Sequence, residues 1–180
     1  MPTNKVIAGL DKVTVAHFVE SDIEEIYGLV LGAASRGEDI GIDEYPSLSN
    51  WMERIIEEKP TSGIITVRDA STRVLRAAIR FTCSRFSRSL TPCLAEFRLV
   101  LAEGIRKQDT LQELFALSEE LIRDCGCGFA CTMTETFIHS HDSIKALRNA
   151  RYHITCMVPS LVKDVKVGLT EAVIFYKDFG

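Results

Sequence analysis

Glu96 and Arg98 stand two apart in the apolar run CLAEFRLVLA, and at that spacing the two side chains share one face of a strand. Read by themselves they form an ion pair, which keeps the carboxylate ionised and makes it a poor proton acceptor. Further on, Arg106 and Lys107 precede Gln108, Asp109, Thr110 and Leu111 where a helix is expected to begin. Two cations beside the unpaired N–H groups of a helix start attract a phosphate. Asp109 has the opposite effect, because as an N-cap its carboxylate would take those same N–H groups.

Glu38, Asp39, Asp43 and Glu44 make an acid-rich loop, which either draws in a cationic amine or is simply solvated. Ser140 and Ser143 lie at the start of a short helical stretch and read as caps. His139, His141 and Asp142, together with Cys131, imitate a metal cluster, but without a second clear ligand pair no metal is expected. Cys125-Gly126-Cys127 lacks the two-residue gap of a redox or zinc pair and reads as a helix-ending turn.

The elements that must position these residues follow from the period of the apolar positions. VTVAHFV, from Val13, alternates as a strand, and Ser21 with Glu24 has the spacing of a capping box before the helix that carries Ile26 and Val30. Residues 36–46 show no sustained period and read as a loop; Ser49 is expected to cap the next helix, NWMERIIEEK. GIITVR and VLRAAIRFTC suit an antiparallel hairpin, and CLAEFRLVLA (Cys93–Ala102) is a third consecutive strand. The pattern then changes to helical spacing, with Leu111, Leu114, Phe115, Leu121 and Ile122. FACTMTETF is a strand, SHDSIKALRNAR a short helix, and YHITCMVP and LTEAVIFYKDF two closing strands. The order β-α-α-β-β-β-α-β-α-β-β predicts an α/β (α+β) fold, a mixed, mostly antiparallel sheet with helices on both faces.

Composition bounds the function. At 180 residues and 46% hydrophobic content the chain suits a single domain, 1–180, with its core over about 13–179. A formal charge of −4 without a run of cations speaks against nucleic acid as a partner. No segment reaches the roughly 18 apolar residues of a membrane span, and the N-terminal stretch is too short for a signal peptide. A cytoplasmic protein with its six cysteines as thiols, most of them small buried hydrophobes, is expected.

This order, from about Val13 to Phe179, resembles the GNAT superfamily of N-acetyltransferases. Three passages carry the likeness. LAEFRLVLAEG with the following basic residues and helix is similar to the family's fourth strand, acyl-CoA loop and third helix. HSHDSIKALRNARYHI resembles its helix-to-strand passage, with Ser140 and Ser143 at the two small-residue positions and Tyr152 at the aromatic one, although Arg151 replaces a glycine. The third is the aromatic final strand, VIFYKDF. Within the family, residues 136–152 are nearest to the arylalkylamine-acetylating type.

The resemblance implies acetyl-CoA as cosubstrate and a small amine or lysine-like group as acceptor, attacking the thioester directly. It implies Glu96 as the base and Ser140 and Ser143 as a proton relay. A backbone N–H near Leu99, Val100 or Leu101 would be the oxyanion donor, and the Arg106–Leu111 loop would hold the pyrophosphate. Glu38, Asp39, Asp43 and Glu44 fall where the fold builds part of its acceptor pocket. The sequence departs from the family at two points: both glycines of the phosphate loop are replaced, and Leu147 stands where the general-acid tyrosine is usual. A non-catalytic domain of the same fold, binding a protein or small ligand, is therefore the alternative. Pairing of the apolar final strand across a homodimer is a further expectation.

Overall fold

The computed structural model describes residues 2–41, 47–58, 62–84, 94–124 and 129–179. Its strands are β1 (Thr3–Ile7), β2 (Asp11–His17), β3 (Ser62–Asp69), β4 (Leu75–Ser84), β5 (Leu94–Leu101), β6 (Cys131–Phe137), β7 (His153–Asp164) and β8 (Gly168–Asp178). Its helices are α1 (Ile23–Arg36), α2 (Leu48–Glu58), α3 (Gln108–Asp124) and α4 (His141–Asn149). The strands form one sheet in the order β1-β2-β3-β4-β5-β6-β8-β7. Every neighbouring pair is antiparallel except β5 with β6.

The parallel pair follows from chain direction. α3 carries the chain back over the sheet, so β6 starts at the same end as β5, as a crossover connection requires. Alternating side chains on the central strands then feed two cores. On one face Ile79, Phe97 and Leu101 pack with Leu111, Leu114 and Phe115 of α3 and Leu147 of α4. Phe97 meets Phe115 and Tyr152 edge-on, at 6.0 and 6.2 Å between ring centres. On the other face Ala78 and Val100 pack with Ile26, Val30 and Ala33 of α1 and Trp51 of α2.

Several local expectations need correction. β1 was not anticipated: its five residues, TNKVI, bury only Ile7 fully and offer almost no alternation to read. Ser21 and Glu24 do not cap α1; a short 3-10 turn, Glu20–Asp22, intervenes, and the Asp22 carboxylate accepts the Val19 N–H at 3.0 Å. Ser47, not Ser49, caps α2, its Oγ accepting the Asn50 N–H at 3.1 Å. Asp109 is not an N-cap, since α3 begins at Gln108 and Asp109 lies exposed within its first turn. The final strand β8 is no sheet edge: it lies between β6 and β7, so it has no free side for a partner. The edge on that side is β7, nearly all of it exposed, and β1 is the other. No helix among the described residues is long and apolar enough to cross a membrane.

Candidate active site

Among the described residues β5 and β6 are joined over three residue pairs, Leu94 with Cys131, Ala95 with Thr132 and Glu96 with Met133. Beyond Glu96 they separate, β5 staying with β4 as far as Leu101 and β6 with β8 as far as Phe137. The result is a wedge-shaped opening in the middle of the sheet, walled by Leu99 and Val100 on one side and by Thr134 and Thr136 on the other, with Arg106, Ser143 and Leu147 at its mouth. Backbone groups on β5 that face this opening lack strand partners, and such groups recruit others. Leu101 shows the effect, its carbonyl accepting a hydrogen bond from Arg36 Nη2 at 3.0 Å.

Asp39 closes the mouth. It follows α1 in a left-handed conformation, φ 58°, and directs its carboxylate at the end of β6 and the start of α4. Oδ1 accepts from the Thr136 hydroxyl at 2.7 Å, the Phe137 N–H at 2.8 Å and the Ser140 hydroxyl at 2.6 Å. Oδ2 accepts from the Ser143 hydroxyl at 3.1 Å and pairs with Arg106. Arg106 also donates to Ser143 Oγ at 2.6 Å. Burial holds the Arg106 pKa below its ordinary value, with Glu38 and Asp142 opposing that shift; the guanidinium stays charged because its range starts so high.

The structure thus assembles four of the sequence candidates, Asp39, Arg106, Ser140 and Ser143, into one network. Ser140 is the N-cap residue of α4, but its side chain makes no capping hydrogen bond, and Ser143 is buried within the helix. Glu38 is held by Arg36 through two 2.9 Å hydrogen bonds and so braces the same turn. Asp43 and Glu44 lie outside the described residues.

The Arg106–Leu111 segment divides by direction. Leu111 faces the opening, and Lys107 and Asp109 are exposed while Gln108 is half-buried. Thr110 turns away: its hydroxyl donates to the Ala8 carbonyl at 2.7 Å, pinning the β1–β2 turn to α3. The first N–H groups of α3 have no acceptor within the helix, which leaves them suited to an anion with or without glycines nearby.

Glu96 is half-exposed, and its nearest approach to Arg98 is 4.0 Å. Arg98 is instead committed to Glu135 of β6, across the opening. The expected Glu96–Arg98 pair is therefore loose. Glu135 is a residue the sequence reading missed, although its alternation with Met133 along TMTETF was the available signal. Leu147 is buried in the cleft wall. Tyr152 is buried too, and burial together with Glu119 pushes its hydroxyl well above the ordinary tyrosine range, so it is a poor proton donor. Among the described residues no three His, Cys, Asp or Glu side chains gather as a metal site. His139 stands 3.7 Å from the buried Asp164, and His141 is exposed at the start of α4.

No protein-family model matches the sequence, and no curated protein matches it. Solved structures do match the fold. A protein assigned as a phosphinothricin N-acetyltransferase superposes with a TM-score of 0.76 at 16% identity, covering 93% of this chain and 99% of that one. YncA of Salmonella typhimurium, assigned as an acetyltransferase and solved with its cofactor acetyl-CoA, gives 0.74 at 13%, covering 93% and 94%. Spermidine N-acetyltransferase of Vibrio cholerae, in complex with CoA and spermine, gives 0.73 at 10%, covering 92% and 95%.

Proposed function

We propose that this chain, whose fold is that of the GNAT N-acetyltransferases, moves an acetyl group from acetyl-CoA to a primary amine, a small amine or a lysine-like side chain, in the cytoplasm. The observation that carries the reading is the opening between β5 and β6, set beside a helix start that bears Arg106 and Lys107. The thioester of acetyl-CoA supplies the activated acyl group.

The chain's own residues have five tasks. Lys107, Arg106 and the first N–H groups of α3, on Gln108, Asp109 and Thr110, hold the pyrophosphate, and Leu111 gives an apolar wall. Glu96, half-exposed and only loosely approached by Arg98, takes the proton of the incoming ammonium. A backbone N–H of Leu99, Val100 or Leu101 donates to the oxyanion of the tetrahedral intermediate. Ser143, relayed by Ser140, returns a proton to the departing thiolate, a route made necessary by Leu147 in place of a tyrosine. Of the acid-rich loop, Glu38 is paired with Arg36 and Asp39 with Arg106, which leaves Asp43 and Glu44 as the charges that draw in a cationic amine.

The test is calorimetric titration with acetyl-CoA followed by thiol release on a panel of amines. Micromolar binding with turnover of at least one amine supports the reading. A second reading, a non-catalytic domain of this fold that binds a protein or small ligand, is favoured by the Asp39–Arg106 contact and by Leu147; absence of acetyl-CoA binding would select it. Self-association in either reading would use β7, with Met157 and Leu161 exposed along it. A monomer by light scattering removes that element.

A further inference from the structure

Residues 36–39 cross the mouth of the opening from wall to wall. Arg36 holds the Leu101 carbonyl on β5, and Asp39 holds the Phe137 N–H and the Thr136 hydroxyl on β6. Between them Glu38 grips Arg36, so the strap is braced internally. Beneath it the cleft has a cavity volume of about 50 Å³, enough for water.

The chemistry of the mouth is that of an anion site with its own anion already in place. Five donors, three hydroxyls, one backbone N–H and one guanidinium, converge on a single carboxylate. Thr136 and Ser143 are almost wholly buried. Charge-assisted hydrogen bonds of this kind are the strong ones, and a phosphoryl oxygen would be received by the same donors as readily as a carboxylate. Arg106 Nη2, the nitrogen that meets both Asp39 and Ser143, cannot serve a phosphate while it serves Asp39. Gly37 (φ 68°) and Asp39 (φ 58°) are both left-handed directly after α1, and glycine at the first of these positions can take other backbone conformations without a Cβ penalty.

We infer that Asp39 is a built-in competitor for the cofactor, an autoinhibitory latch that must leave Arg106 and the Phe137 N–H before a CoA phosphate is admitted. The inference rests on the cofactor reading above and adds its regulation. A protein whose competent state is partly populated binds with its affinity reduced by that fraction, so loosening the latch tightens binding.

Titration of wild type and Asp39→Asn with CoA tests this, with hydrogen exchange of the Phe137 amide followed in the wild type. The latch predicts CoA binding tighter in the variant by at least about fivefold, the lower end of usual couplings. It also predicts faster exchange at Phe137 when CoA is added. Equal or weaker binding by the variant, or slower exchange at Phe137, overturns it. Should Asp39→Asn fail to fold, the exchange measurement alone decides. If neither protein binds CoA, the cofactor reading fails, and inorganic pyrophosphate is titrated instead. Binding to the variant alone then upholds the latch as an anion gate, and binding to neither overturns it as well.

Discussion

Arg98 reaches across the gap between β5 and β6 to the carboxylate of Glu135, and leaves Glu96, its neighbour on the same strand face, 4.0 Å from its Nε. Two carboxylates therefore stand near the proposed reaction centre, one tightly paired and one loosely, and the loosely paired one is the freer to meet a substrate.

Glu96→Gln should lower kcat by about 10²–10⁴, the usual contribution of general-base catalysis. Glu135→Gln should cost less than tenfold, since its carboxylate is tied to Arg98 and not aimed at a substrate proton. Steady-state kinetics with a turned-over amine compares them. If Glu135→Gln were the crippled variant and Glu96→Gln retained full turnover, the roles would have to be exchanged.

Gly37→Ala should be more damaging than Gly168→Ala, although both glycines have positive φ. At Gly168 nothing lies within 4 Å of an added Cβ, so the cost is the left-handed strain of about 1–2 kcal/mol. At Gly37 the new carbon would come within 2.5 Å of Asp164 Oδ2. That carboxylate cannot give way easily: its side chain is fully buried, and Oδ1 accepts the Lys166 and Val167 N–H groups at 2.7 and 3.0 Å. Urea denaturation of the two variants should show Gly37→Ala losing clearly more; equal losses would mean the strap region adapts.

The β3–β4 turn should be acid-sensitive through Asp69. The Ser71 hydroxyl, then the Thr72 and Ser71 N–H groups, hold its carboxyl well below the ordinary range. A depressed folded pKa contributes stability above the unfolded value of about 3.9, and that contribution is lost as pH falls through the folded one. Asp69→Ala should accordingly be less stable than wild type at pH 7, with the difference shrinking as pH drops below about 4. Thermal melts across pH 2–7 measure this, and a constant difference would show that the turn owes nothing to the charge.

The sequence by itself determined the order of the elements from β2 onward. Period-two alternation located β2 through β6 and β8 within a few residues, and the change to helical spacing at Leu111 and Leu114 located α3, because those patterns record which faces must be buried. It also named Asp39, Glu96, Arg106, Ser140 and Ser143 as residues with chemistry to offer, since type and position near an element's end are local facts. What it left undetermined was partnership. That Arg98 pairs with Glu135 and not with Glu96 depends on β6 lying parallel beside β5, and that Asp39 meets Arg106 depends on β5 and β6 parting after three residue pairs. Strand β1 escaped notice because one buried side chain in five carries no period. Side-chain identity is written along the chain, whereas the identity of the neighbour across a gap is set only when the sheet has chosen its order, and here that choice turned an expected phosphate ligand into the partner of an aspartate.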